Sequence, residues 1–360
     1  MKTTLIFLSS LLIAVTAFSA VHYVNINGGA PYYEVQPAIN ASSAGDTILV
    51  GSGFGYQGFN VDRRLVIMGV GTGLINGEST RIEGVVILSD AADSTELWSL
   101  WIRGNYQSET DSLSVVLDIR SGTKGVLVAR CLLENWGVNY YKGCAYLGNQ
   151  SSANFLQCVF WIPDYISDVN TGIHLRSMSE VEFTNCLFSK IPTGISQSSG
   201  FAVNIEMRNC VFSLSVGTPQ PFSTNATGNA ENCSFLCDVV INTSSGPHIS
   251  YTYCAFSSNV PTGPGNISCG SADFVNLNLN NYRLSDYHLS DNSVLRNSGN
   301  PYQFDLDSTR ADIGIYGGMH PFVTNGAPCY PYVLKVDVPT FVPQSGAIRI
   351  HVYGRIGSAD

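Results

Sequence analysis

Charge is what this 360-residue chain has least of. Asp, Glu, Lys and Arg together make up 12% of it, and the net charge is −9. A chain so poor in basic residues is not built to hold nucleic acid or an anionic membrane surface, both of which are bound through clustered Lys and Arg. C-x-x-C pairs and clustered histidines are missing, which argues against a zinc site. Beyond the first 19 residues no apolar run is long enough to span a bilayer. Helical periodicity is also missing. The connectors are rich in Ser, Thr, Asn and Gly, poor helix formers, so ankyrin and tetratricopeptide repeats do not fit. The L-x-x-L-x-L unit of a leucine-rich repeat does not recur.

What the chain does have is a cysteine repeat. Six times a cysteine is followed two residues later by a large apolar residue: Cys131/Leu133, Cys158/Phe160, Cys186/Phe188, Cys210/Phe212, Cys233/Phe235 and Cys254/Phe256. Self-similarity at such a period signals stacked repeats. Three residues before each cysteine stand Val128, Phe155, Phe183, Met207, Ala230 and Tyr251. Five before stand Val126, Ala153, Val181, Ile205, Gly228 and Ile249. Within a strand, inward positions recur at even spacing. The step from −3 to the cysteine is odd, so the chain must turn a corner there. Asn fills the position before the cysteine in three repeats (Asn185, Asn209, Asn232), and Asn tolerates the left-handed conformation a corner needs. Each repeat is therefore two short strands meeting at a corner, stacked on the next repeat. Leu97, Leu100 and Ile102 fill the same positions one repeat earlier, with leucine in place of cysteine. Leucine neither bridges nor ligates, so the cysteines read as a column of buried free thiols. Cys144, Cys237, Cys269 and Cys329 lie outside this column, and their pairing is not fixed by the sequence.

Residues 1–19 have the form of a signal peptide. Lys2 supplies the charge, Leu5 to Val15 the apolar core and Ala17-Phe18-Ser19 a small-x-small cleavage site. A secreted or cell-surface location is expected, with no transmembrane segment after cleavage. The stretch "VQPAINASSAGDTILVGSG" then resembles the opening coil of the pectate-lyase-like, right-handed parallel β-helix proteins. In those a short capping helix, here Val35–Ala41, precedes "GDTI-V-G". Near the other end, Asp286-Tyr287-His288-Leu289-Ser290, Arg310 and Asp312-Ile313-Gly314-Ile315-Tyr316 resemble the closing segment of bacterial surface proteins of this kind. Ser293-Val294-Leu295-Arg296-Asn297 departs from the usual "SPAIN". Arg310 and Asp312 read as a structural clasp at the last coil. The expected fold is all-β: a right-handed parallel β-helix, or solenoid, with an N-terminal helical cap and a short C-terminal β tail. Its divisions are a signal peptide (1–19), the β-helix with cap and closing segment (20–318) and a β-rich tail (319–360).

A third strand per coil falls about 14 residues before each cysteine: Val115–Arg120, Cys144–Leu147, Gly172–Arg176 and Gly194–Ser198. The predicted inward residues are Leu117/Ile119, Cys144/Tyr146, Ile173/Leu175 and Ile195/Gln197. Asp118/Arg120, Ala145/Leu147, His174/Arg176 and Ser196/Ser198 then point outward. In the resembled proteins substrate lies along one outward sheet between longer loops. Two loops here are aromatic, carrying Trp136, Tyr140 and Tyr141, then Trp161 and Tyr165; they are candidate sugar platforms or else packing residues over the sheet. Arg120, His174 and Arg176 are the candidate catalytic or clamping groups, since a polysaccharide lyase needs a base and a cation for the substrate carboxylate. No cofactor or metal is expected; in a lyase, Asp164 and Asp168 could hold Ca2+. A glycosidase needs two suitably separated carboxylates, and the outward column offers only Asp118. The function the sequence favours is a glycan-binding or scaffold protein without established catalysis. The alternative is a carbohydrate-active enzyme, a lyase or hydrolase on an acidic polysaccharide. Its partner would be a polysaccharide or cell-surface glycan.

Overall fold

The computed structural model describes residues 19–326 except 74–78, 105–113, 137–142, 164–169, 199–202, 215–218, 224–225, 238–246 and 280, together with the strands 332–337 and 351–355. The leader read at 1–19 falls almost wholly outside them, as does Cys329. The chain winds as a parallel β-helix, the fold expected from its sequence. Sheet I holds ten parallel strands, from Val21–Val24 and Thr47–Val50 through Val126–Ala129, Ser152–Leu156, Glu180–Thr184 and Asn204–Arg208 to His248–Thr252. Sheet II stacks Trp101–Arg103, Leu132–Glu134, Val159–Trp161, Leu187–Ser189, Val211–Ser213, Ser234–Phe235, Ala255–Phe256 and Ile267–Ser268. Sheet III stacks Leu117–Ile119, Gly143–Leu147, Thr171–Leu175, Thr193–Gln197 and Gln220–Phe222. Sheets II and III merge in the strand Thr80–Leu88. Its first half pairs with Trp101–Arg103 and its second with Leu117–Ile119. Gly84 sits between the halves at φ +118°, a conformation that side chains rarely adopt.

The corner the sequence demands is present in every cysteine coil. Arg130, Gln157, Asn185, Asn209, Asn232 and Tyr253 have φ between +51° and +56°. All six ladder cysteines are free and at most 1% exposed. Their neighbours two residues on form a second column. Phe160, Phe188, Phe212, Phe235 and Phe256 stack nearly parallel with centroids 4.5, 4.5, 5.0 and 5.1 Å apart. Each offset aromatic pair adds about 0.5–1.5 kcal/mol beyond the area it buries. Cys144 and Cys269 are also free, buried thiols, and Cys237 is buried as well. The capping helix spans Val35–Ala41 and lays Val35, Ala38 and Ile39 over the first coil.

Two expectations are corrected. The third strand of the Cys158 coil is shifted by one residue. Ala145 pairs with Leu117 and Ile173, and Tyr146 with Asp118 and His174. Ala145 and Leu147 therefore face the core, fully buried, and Tyr146 faces out. A slip of one residue exchanges the two faces of a strand. The small Ala145 and apolar Leu147 fill the core without taking in a phenol. Cys144 is buried even so, its Sγ 3.6 Å from the Trp161 carbonyl.

The closing segment is the second. Coil stacking ends at Ile267–Ser268, and the chain then turns back over the outside of sheet II. Phe274, Tyr282, Tyr287, Leu295, Ile313 and Ile315 form a second core with the outward residues Leu132, Val159, Leu187 and Val211. Arg310 donates from Nε to the Gly299 carbonyl at 2.6 Å, within the closing segment itself, and its guanidinium lies 5.8 Å from the Tyr253 ring. Asp312 accepts from the Asn297 amide at 2.6 Å. The strands Tyr332–Asp337 and His351–Arg355 form an antiparallel hairpin within the tail.

Candidate functional site

The outer face of sheet III is polar because its strands alternate. With Leu117, Ile119, Ile173, Leu175 and Ile195 turned inward, the residues between them must point out. Asp118, Tyr146, His174 and Ser196 are successive cross-strand partners. Two residues further along lie Arg120, Gly148, Arg176 and Ser198, aligned by Gly148 N–H to Ile119 O, Arg176 N–H to Leu147 O and Ser198 N–H to Leu175 O. Arg120 and Arg176 thus occupy one face, with the coil of Gly148 between them. At a coil spacing of about 4.8 Å they stand about 10 Å apart.

Arg120 is 56% exposed and its Nε lies 2.8 Å from Asp118 Oδ2. His174 is held at both ring nitrogens, Nδ1 2.8 Å from Ser196 Oγ and Nε2 2.9 Å from Ser198 Oγ. The Tyr146 ring lies parallel to it at 6.0 Å. Arg176 donates from Nη1 to Ser198 Oγ at 3.3 Å. Burial pushes the His174 imidazole below its usual pKa, and the Arg176 charge adds to the effect. At neutral pH the ring is uncharged and can accept a proton, beside a cation able to meet an anion.

The tryptophans lie elsewhere. Trp161 belongs to the outward face of sheet II, and the returning segment covers it. It is 6% exposed, with Tyr282 edge-on at 4.8 Å. Trp136 is half-buried. Arg103 sits over its ring at 4.8 Å, Trp161 meets it edge-on at 6.5 Å, and its indole N–H goes to Glu134. Trp161 is thus covered, and the Trp136 ring packs against Arg103 and Trp161. Tyr140, Tyr141 and Tyr165 lie outside the described residues, as do Asp164 and Asp168. No group of three or more metal-ligating side chains occurs among the described residues.

Sequence reasoning passed over the group at the centre of these rings. Glu134 is 1% exposed, accepts from Trp101 Nε1 at 2.6 Å and lies 3.7 Å from Arg283 of the returning segment. Burial raises its pKa, opposed by the indole hydrogen bond from Trp136 and the charges of Arg283 and Arg103. Arg283 in turn lies over Trp101 at 4.7 Å and Trp161 at 5.4 Å. Glu134 therefore fastens the returning segment to sheet II. Its signal in the sequence was a carboxylate closing the apolar strand Leu132-Leu133-Glu134.

No protein-family model matches the sequence, and no curated protein is detectably similar to it. Among solved structures the chain is similar to a pectin methylesterase from carrot, with 12% identity, a TM-score of 0.46 and coverage of 72% of this chain and 86% of that one. It is similar to a pectate lyase at 12% identity and TM-score 0.46, over 82% of this chain and 96% of that one. A pectin methylesterase from Aspergillus niger matches at 12% identity and TM-score 0.37, over 70% and 85% of the two chains.

Proposed function

We propose that this protein is exported and engages an acidic polysaccharide along the outer face of sheet III. The observation that carries the reading is the placement of Arg120 and Arg176 on one face, two coils apart, with Tyr146 and His174 between and beside them. Guanidinium pairs bidentately with carboxylate. Two of them about 10 Å apart match carboxylates carried on separate sugars of an extended chain. The polar, half-exposed rings of Tyr146 and His174 offer an amphipathic surface between the charges. This site differs from the one expected around Trp136 and Trp161, whose faces are taken by arginine and by other rings. Among the described residues no helix is long and apolar enough to cross a membrane.

Isothermal titration of the purified chain against polygalacturonate, alginate and a neutral glucan tests the reading. Binding of a polyuronide, weakened at least about tenfold by Arg120→Ala, is expected; each lost charge-assisted contact removes about 1.5–3 kcal/mol. Equal binding of the neutral glucan, or an Arg120→Ala variant that binds as well as the parent, would remove the site. Absorbance of an unsaturated product during the same titration would identify a lyase.

A further inference from the structure

His174 is more than a surface histidine, because each of its ring nitrogens lies within hydrogen-bond reach of a serine hydroxyl. The Ser196 hydroxyl has one proton, and the Ile173 carbonyl lies 3.4 Å away to receive it. With that proton on the Ile173 carbonyl, Ser196 Oγ accepts from His174 Nδ1–H at 2.8 Å. In that tautomer the Nε2 lone pair accepts from the Ser198 hydroxyl at 2.9 Å. A nucleophile within hydrogen-bond reach of a base, with the base oriented by a third group, is the arrangement that activates serine. Arg176 Nη1, 3.3 Å from Ser198 Oγ, adds a cation where an oxyanion would form. Ser198 is half-exposed, so an external carbonyl can reach it. The register of the strand Thr193–Gln197 sets Ser196 opposite His174, and Ser198, just past its end, is aligned by its N–H to the Leu175 carbonyl.

We propose that Ser198, His174 and Ser196 form a serine-nucleophile site that hydrolyses O-acyl esters on the sugar hydroxyls of the bound polymer. The choice of polymer rests on the function proposed above; the serine chemistry does not. Ser198 Oγ bonds to the acyl carbon while its proton passes to His174 Nε2. The carbonyl π pair moves onto oxygen beside the Arg176 guanidinium. The tetrahedral centre then collapses, the bond to the sugar oxygen breaks, and that oxygen takes the proton from Nε2. Water repeats the sequence on the acyl-serine, releasing a carboxylic acid and restoring Ser198. The net change is ester plus water to acid plus alcohol. Ser198 and His174 are the catalytic residues, and Ser196 is a positioning residue.

The test uses the full mature chain with p-nitrophenyl acetate, O-acetylated polygalacturonate and a fluorophosphonate probe. The expected results are turnover of both esters and a single adduct mapped by mass spectrometry to Ser198. Ser198→Ala and His174→Gln should each lose about 100-fold or more in kcat/KM. Ser196→Ala should lower kcat, and Ser196→Thr should restore it, a rescue that a merely structural serine would not show. Absence of ester turnover, an adduct elsewhere, or an undiminished Ser198→Ala variant overturns the proposal. Circular dichroism of each variant separates lost chemistry from lost fold. Turnover of p-nitrophenyl acetate with labelled Ser198, but no binding of de-esterified polygalacturonate, upholds the serine site and removes the polymer. Polymer binding without labelling does the reverse.

Discussion

At Cys131, Cys158, Cys186, Cys210 and Cys254 the thiol meets a main-chain carbonyl of the coil below. Cys158 Sγ lies 3.2 Å from Val128 O, Cys186 Sγ 3.3 Å from Phe155 O and Cys254 Sγ 3.3 Å from Ala230 O. Burial pushes the Cys131, Cys186 and Cys233 thiols far above their ordinary pKa, so the reactive thiolate is suppressed. A thiol reagent should leave the ladder untouched in the native protein and titrate it after denaturation. Early reaction of ladder peptides, or bridges between them in mass maps, would contradict this. Cys186→Ser should cost about 1 kcal/mol by urea denaturation. Its hydroxyl has the Phe155 carbonyl to donate to, which limits the penalty of burying it. His174 supplies a pH test at the same scale. Its folded pKa lies below the ordinary 6.5, so on acidification the unfolded chain takes up the proton first. The stability this contributes is full above 6.5 and is lost as pH falls through the lowered value. Replacing His174 by Gln should flatten the fall in Tm between about pH 7 and pH 5; an unchanged profile would show that the ring is not desolvated.

At the scale of elements, the corner column has two duties, and the sequence showed one of them. The left-handed turns were legible from the odd step in the apolar pattern and from Asn at three corners. Hidden was what the corner side chains do next. The returning segment runs back along them, against the direction of stacking. Asn209 Nδ2 donates to the Asp312 and Gly314 carbonyls, and Asn185 Nδ2 to the Ile315 and Gly317 carbonyls. Gln157 Nε2 reaches the His320 and Pro321 carbonyls, and Ser99 Oγ the Gly326 carbonyl. One strap thus ties successive coils together through a ladder of side-chain donors. Asn209→Gly keeps the corner conformation open but removes both bonds. It should lower stability by about 1–3 kcal/mol, the cost of leaving buried carbonyls without donors. A denaturation midpoint within error of the parent would mean the strap is held elsewhere.

For the molecule as a whole, the strap and the second core make the outside of sheet II an interior. Leu132, Leu187, Val211, Leu295 and Ile313 are at most 1% exposed there. Removing residues 271–326 would uncover a continuous apolar face, and such patches drive association. A chain ending at Gly270 should bind anilinonaphthalene sulfonate and leave the monomer peak in size exclusion. If it stays monomeric and silent to the dye, the returning segment is dispensable. The sequence by itself determined the β-helix, the capping helix at Val35–Ala41, the corners, the thiol column and the sheet carrying Arg120, His174 and Arg176. The capping helix was read from the resemblance of the opening coil; the rest follow from spacing within one repeat, because side-chain direction in a strand depends on parity alone. Tertiary structure decided the rest. The register of Tyr146 was settled by which neighbour fitted the core. The burial of Trp161 was settled by Arg283 and Tyr282, more than a hundred residues later in the chain, and Trp136 packs in turn against Arg103 and Trp161. The union of His174 with Ser196 and Ser198 came from pairing between coils. Contacts between residues that distant depend on how the chain returns upon itself, and no local period records that.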